Sequence, residues 1–480
     1  MIHLERLIDR IIRRVNVNLR NPLLDVSPYV RGLIPSKSHA QYYAFYSLDS
    51  ERTNLFKFKG SSLAGTYFLG KCEVLDSVLY KSDIRGDELK SRGDVVEMSG
   101  IEIALRDDEK FHIRDSFLMK TLVHCHSKDP QNPELFKVHN TVALHYANIH
   151  GSTLNGTFLA PFSTIDLSVA HDCAIGEFSY VQAGELLHKR IEPGRIWIKA
   201  EGAFEWDYQY PEGVLDKYIS MDESGRPSGE FMKFLEERKE DFIPMYATVS
   251  FEHEIDIPES SKVSPYALVR GDVTVAENVL VAQRSWVEDS HLGKGANAQE
   301  NCYIINSHYE GNNVTAHGGK VINCRMGTNT FVGFNCFLRG LEEAPVKVGN
   351  GCIVMPHTII DAAEPLEIPE DHLVWGFITC TQDLETNSMA LADFAKLKGQ
   401  FSLGNMTFEG IGSKFVEGFA HRVEHILELN GAFYDGTPET SGHAQNNRRV
   451  SYSILMPFTQ GEKQGLCPSL SIEPFTPEND

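Results

Sequence analysis

Between residues 263 and 360 aliphatic side chains return at every sixth place. Val263, Val269, Val275, Val281 and Val287 open the run, the register slips by one, and Leu292, Ala298 and Ile304 resume it. Met326, Val332 and Leu338 follow, then Val348, Val354 and Ile360. A helix would bring apolar positions back at three and four, a single strand at two. Six is a strand rhythm interrupted by a corner. Three such units close a coil of about 18 residues, and stacked coils satisfy one another's backbone as a parallel sheet does. A small residue often stands four places on, as at Ala267, Ser285, Cys302, Thr330, Cys336 and Cys352. Gly and Asn beside the aliphatics suit corner backbone angles.

The first half is similar but less regular. Leu63 and Leu69 open it, Val78 and Ile84 are six apart, and Val169, Ile175 and Val181 repeat the period with Cys173 and Ser179 small. On this phase Val169 and Cys173 face inward and His171 outward. Residues 127–134 read as a loop thrown out of a coil. The pattern divides the chain into an N-terminal helical or irregular segment (1–60), a first β-helical segment (61–200), an aromatic and helical insert (201–250), a second β-helical segment (251–379), and C-terminal helices with a tail (380–480). Helices are expected over 1–20, 228–240, 385–400 and 413–431, the last with Phe415, Val416, Phe419, Val423, Ile426 and Leu427 as its apolar stripe. A C-terminal helical cap would cover the open end of the solenoid. Residues 466–480 read as a loose tail or an arm on a neighbour.

Composition narrows the function classes. Apolar residues make up 42% of the 480, which excludes wholesale disorder. The formal charge of −21 disfavours nucleic acid and anionic membranes as partners. Arg195, Lys199, Arg448 and Arg449 are scattered basic candidates for an anionic cofactor. The nine cysteines are odd in number and dispersed, unlike a disulfide framework. No apolar run reaches membrane-spanning length and the N-terminus lacks a signal region, so membrane insertion is not expected and a cytoplasmic location is.

Three histidine groups carry candidate chemistry. His145 and His150 are five apart and would need a third ligand for a catalytic zinc, with His112, His124 and His126 upstream. His171, followed by Asp172, would lie on an outer groove, where an imidazole suits general-base work near neutrality. His317 precedes Gly318-Gly319, which would let a substrate or backbone come close. Arg85-Gly86-Asp87 recurs as Arg270-Gly271-Asp272, suggesting an internal duplication and an ion pair that fixes a coil edge or shapes a subunit seam.

These repeats resemble the hexapeptide-repeat, left-handed parallel β-helix superfamily, an all-β solenoid, over roughly residues 60–185 and 255–365. The resemblance implies a left-handed coil and a homotrimer with sites at subunit seams. Two branches offer a site. Ala170-His171-Asp172-Cys173 with Gly176 is similar to the catalytic run of the UDP-N-acetylglucosamine acyltransferases, which implies His171 as base and an acyl-CoA or acyl carrier protein thioester as co-substrate. Ser168 stands where that run has a second histidine. His145, Ala147, His150 and Gly151, with Ser152 in place of Cys, resemble the gamma-class carbonic anhydrases, which bind zinc or iron through three histidines. Their Arg-x-Asp corresponds to Arg85 and Asp87. Their first ligand should fall near position 109, which is Glu, with His112 the nearest histidine. In the second half His317 fits one ligand position, while Ile322 and Ile305 occupy the other two. Acyl transfer to a sugar or other small-molecule hydroxyl or amine asks for one placed histidine and a groove, whereas the metal reading needs three ligands. Acyl transfer is therefore the preferred expectation. The metal-dependent lyase and a non-catalytic assembly module are the alternatives.

Overall fold

The computed structural model describes residues 2–50, 54–98, 101–126, 135–222, 225–246, 252–446 and 450–473. The loop expected over 127–134 and Arg448 and Arg449 lie outside them, as do residues 247–250 of the insert and 474–480 of the tail. The chain forms two compact units that interleave in sequence. The first comprises residues 1–193, 216–237 and 449–480, the second 194–215 and 238–448.

The second unit stacks short parallel strands into three walls. One runs from Lys262–Val263 to His372–Val374, another from Leu268–Arg270 to Phe377–Ile378, the third from Thr274–Val275 to Glu367–Ile368. Val281, Ala298, Thr315 and Val332 are register partners in succession, so each coil here is one residue short of three full sixes. The missing residue is at one corner. Val281 to Val287 is six and Leu292 to Ala298 is six, while Val287 to Leu292 is five, which is the slip seen in the sequence. The inward aliphatics and Cys302, Cys324, Cys336 and Cys352 form one continuous core. These four thiols are reduced and buried, and burial pushes the pKa of Cys302, Cys324 and Cys336 up to about 12. Asn278, Asn301, Asn306, Asn312, Asn323, Asn329 and Asn335 all hold left-handed backbone at corners, a conformation asparagine tolerates better than most residues.

In the first unit the coil is shorter still. Ile149, Ile165 and Val181 succeed one another in register, as do Leu154, Ala170 and Leu186, and each step falls two short of three sixes. Two corners have lost a residue, so the six-residue count drifts. Ala170, fully buried, is the inward residue of its strand, and Val169 and His171 flank it on the outer face half-exposed. The six-residue phase places Val169 inside; the shorter coil turns it out. Corner conformations here fall on bulky residues. Tyr146, Phe162 and Phe178 have φ of 62°, 58° and 53°, and their rings recover contact by packing: Tyr146 stacks on Phe162 at 5.2 Å, and Phe231 of the helix Glu230–Glu236 sits 5.4 Å from Phe162 and 5.1 Å from Phe178.

Small corner residues do more than make room. Ser77 Oγ accepts the Ser116 N–H, Ser116 Oγ that of Thr141, Ser152 Oγ that of Ser168, and Ser168 Oγ that of Ala183, at 3.0–3.2 Å. Each hydroxyl satisfies a buried donor of a later coil. Stacked parallel coils with this chemistry fit the β-helix expected.

The helix Ile2–Asn18 buries Leu4, Leu7, Ile11, Ile12 and Val15 on an apolar outer wall of the first unit, against Val78, Tyr80, Phe117, Met119, Val142 and Phe158. The C-terminal segment is an arm on its own first unit: Val450–Leu455 runs antiparallel to Ala44–Asp49, and Leu470–Ile472 to Leu55–Lys59. In the second unit the wall that begins at Lys262–Val263 ends on an antiparallel strand, Ser388–Ala390, paired with His372–Val374. The helix Gly412–Asn430 buries Phe415 and Phe419 in an aromatic cluster with Phe204, Phe394 and Phe408, while Val416, Val423 and Ile426 stay half-exposed. Trp206 and Tyr208 are buried beside Trp375 and Tyr210, so they fill core and do not offer a stacking surface. Arg195 is held by Asp207 and Lys199 by Glu205, leaving no basic patch there.

Candidate active site

Because adjacent coils of the first unit stay in register, residues on either side of an inward aliphatic form continuous outer columns. Ile84, Val123, Ile149 and Ile165 are inward partners. The residue after each therefore stacks as Arg85, His124, His150 and Asp166. One residue before, Asp83, Leu122, Asn148, Thr164 and Tyr180 make a second column.

The first column is a chain of charge pairs. Arg85 grips Asp87 through two donors, Nε at 3.1 Å and Nη2 at 2.8 Å. His124 Nε2 lies 3.2 Å from Glu88 Oε1. His150 Nδ1 donates to Asp166 Oδ1 at 2.7 Å, and the Tyr180 hydroxyl donates to Asp166 Oδ2 at 2.5 Å. The His124 and His150 rings are 5.1 Å apart, nearly edge-on. Asp166 is fully buried and His150 is 8% exposed. A carboxylate on Nδ1 fixes the tautomer whose Nε2 is the basic nitrogen.

The other sequence candidates fall elsewhere. His145 sits in a corner turn with its Nδ1 buried and unbonded, and burial pushes its pKa well below the usual histidine range. His112 is on a different wall, in register with Glu73 and Lys137, 3.6 Å from the Glu73 carboxylate, and its pKa is lowered by burial. Neither His145 nor His112 belongs to a group of three potential metal ligands among the described residues. His145 and His112 thus stand apart from His150, while His124, the alternative third ligand, offers a ring nitrogen within 4.8 Å of one on His150. The side chain of His126, the other upstream candidate, lies outside the described residues.

His171 stands in an outer column between Asn155 and Leu187, half-exposed, its ring without a hydrogen bond among the described residues. Asp172 takes a left-handed turn, φ 53°, and its carboxylate lies 3.3 Å from His188 Nδ1, so it does not orient His171. Ser168 is a corner residue, donating to the Asp166 carbonyl at 2.7 Å.

In the second unit the apparent duplication differs in its contacts. Arg270 turns to Asp241, and the Asp272 N–H donates to Asp289. His317 is buried with Glu300, Nδ1 to Oε2 at 2.8 Å. Lys320, fully buried nearby in sequence, donates to the Gly318 carbonyl at 2.6 Å, and burial lowers its pKa to about 8. The sequence alone does not single out Asp166, Tyr180, Glu88 or Glu300. Their signal is spacing by a shortened coil, invisible to a count in sixes.

A family model for a hexapeptide repeat including a loop matches residues 101–223. A solved structure from Desulfovibrio desulfuricans G20, of a protein assigned provisionally as an acetyltransferase, is 49% identical, with 99% of this chain and 100% of that one covered and a TM-score of 0.91. A hexapeptide transferase family protein from Anaplasma phagocytophilum matches at 12% identity over 34% of this chain and 87% of its own, TM-score 0.22. A histidine-to-alanine mutant of GDP-perosamine N-acetyl transferase from Caulobacter crescentus, in complex with CoA and GDP-perosamine, matches at 19% identity over 30% of this chain and 61% of its own, TM-score 0.13. The search of curated proteins returned no match. With one relative aligned along its whole length at nearly half identity, and with the repeat model falling on the coils described above, the chain belongs to the hexapeptide-repeat superfamily.

Proposed function

We propose that this protein is an acyltransferase that moves an acyl group from a CoA or carrier-protein thioester to a hydroxyl or amine of a sugar or other small molecule. The observation that carries this reading is the buried His150–Asp166 pair, 2.7 Å apart, with Tyr180 on the second carboxylate oxygen. The full-length acetyltransferase-like relative supports it. In the reaction His150 Nε2 takes the proton of the attacking O–H or N–H as the new bond to the thioester carbonyl forms. The tetrahedral intermediate collapses, the C–S bond breaks, and the same proton leaves with the thiolate. Asp166 offsets the imidazolium charge and Tyr180 holds Asp166. His171, the base implied by the sequence resemblance, is more exposed but has no orienting carboxylate among the described residues. The left-handed winding and a homotrimer rest on family resemblance, and a C-terminal cap on the need to cover the last coil; sedimentation equilibrium of the purified chain tests the trimer.

The test is thiol release from acetyl-CoA and longer acyl-CoA donors with a panel of amino sugars and hydroxylated acceptors. His150→Ala should reduce turnover by at least about 10²-fold, the ordinary worth of a general base, and His171→Ala by much less. The reverse order would transfer the role of base to His171. No acceptor-dependent thiol release with any donor would overturn the acyl-transfer reading.

A further inference from the structure

The third wall of the second unit carries a surface column unconnected with the acyl-transfer reading. Thr274, His291, His308, Arg325, Lys347 and Glu367 are register partners on six successive strands. Their inward neighbours Val275, Leu292, Tyr309, Met326, Val348 and Ile368 point to the coil interior, so this column faces out. His308, Arg325 and Lys347 are exposed and His291 half-exposed.

Four consecutive rungs thus present two imidazoles, a guanidinium and an ammonium, on a chain whose net charge is −21. Adjacent strands are about 4.8 Å apart, so the row spans about 14 Å. The groups at its ends are engaged. Thr274 Oγ1 bonds His291 Nδ1 at 2.6 Å, and Lys347 Nζ lies 3.3 Å from Glu367 Oε2. The middle is not: neither Arg325 nor His308 has a hydrogen-bond or ion-pair partner for its side chain among the described residues. The His291 and His308 rings stack at 4.6 Å and 18°, which holds His308 beside Arg325. Burial and the neighbouring His308 lower the His291 pKa. Glu310, two residues past His308, and Asp272 and Asp289, two before Thr274 and His291, are the carboxylates flanking this row along its strands.

A divalent cation would suit two stacked imidazoles, but Arg325 on the next rung repels it. An anion answers the Arg325 guanidinium at the middle of the row and can accept from the His308 ring beside it. A compact monoanion reaches one rung, whereas two linked phosphates reach two. We propose that His308 and Arg325, with His291 and Lys347 on either side, bind a pyrophosphate group, whether free or as the bridge of a nucleotide.

Isothermal titration of the full-length protein with inorganic pyrophosphate, and separately with ADP, tests this. The expected result is saturable binding of one pyrophosphate per chain. Arg325→Gln should weaken it about tenfold or more, the loss of one charge-assisted contact. His308→Gln, which removes the ring beside Arg325, should weaken it as well. Tighter ADP than pyrophosphate binding would assign the row to nucleotides, and equal or weaker ADP binding to free pyrophosphate. Absence of saturable binding of either, or binding indifferent to Arg325→Gln in a variant with a wild-type circular dichroism spectrum, would overturn the proposal. Acyl-transfer activity is read separately and does not enter this outcome.

Discussion

Replacing Asp166 with asparagine changes one charged group in the buried heart of the candidate site. The native carboxylate is fully buried and accepts from His150 Nδ1 at 2.7 Å and from the Tyr180 hydroxyl at 2.5 Å. An asparagine side chain keeps one oxygen and can satisfy one of these donors. Its amide then faces the other, and a buried donor left unmatched costs about 1–3 kcal/mol. If the amide faces His150, the imidazole must accept at Nδ1, which puts the proton on Nε2 and removes the base. By analogy with a triad whose orienting carboxylate is made an amide, turnover should fall by about 10²–10⁴-fold. Asp166→Ala strands the His150 donor and leaves the Tyr180 hydroxyl only its 3.1 Å contact to Gln182 Oε1, and should cost more, about 3–5 kcal/mol. The assays are urea denaturation and thiol release from an acyl-CoA. An Asp166→Asn protein with wild-type turnover would refute the orienting role. One with a wild-type denaturation midpoint would refute the accounting of donors.

Other outcomes follow from the same geometry. Ile165→Ala, inward between Ile149 and Val181, should cost about 2–5 kcal/mol in urea unfolding, whereas Val169→Ala, on the outer face, should cost under about 1 kcal/mol; equal costs would contradict the shortened-coil register. His39 is buried against Ser62 Oγ, and burial lowers its pKa to about 4. The unfolded chain therefore binds more protons between about pH 6.5 and 4. This contribution to stability is fully present above that window and is lost as pH falls through it, by up to about 3 kcal/mol. His39→Gln should flatten this part of the pH–stability curve, and an unchanged slope would contradict the assignment. Asp115 holds Arg10 and Arg14 of the N-terminal helix at 3.1 and 3.4 Å. These arginine side chains are largely exposed, so Asp115→Asn should lower stability by no more than about 1 kcal/mol while speeding proteolysis within the helix Ile2–Asn18. Unchanged cleavage would show that apolar packing alone holds the helix.

The second unit is legible because its corners are cheap to recognise. Asparagine and glycine mark the left-handed turns, and a single shortened step leaves most of the six-residue rhythm intact. The first unit conceals the same architecture. Two shortened steps per coil blur the period, and Lys120, Tyr146, Phe162 and Phe178 occupy corners where sequence rules expect Gly or Asn. One consequence is the misplacement of Val169, whose small neighbour Ala170 takes the interior. His150 is visible as a histidine five places from His145, but its partners are set by coil length. Asp166 follows it one coil later, in register. His124 precedes it by a longer stretch of chain, because residues 127–134 intervene. No local motif encodes those separations. The resemblance to a catalytic Ala-His-Asp-Cys run captures a strand and corner but not the carboxylate geometry, since Asp172 turns toward His188.

The central claim is that coils of the first unit stack so that positions 124, 150 and 166 share one outer column. Cysteine cross-linking tests it most directly. Partners in adjacent parallel strands have Cα atoms about 4.8 Å apart, within disulfide range. In a Cys380→Ser background, which removes the one cysteine not fully buried among nine, His124→Cys/His150→Cys should oxidise readily to an intrachain disulfide. His112→Cys/His150→Cys should remain reduced. A disulfide in the second pair and none in the first would contradict the column and the site built on it.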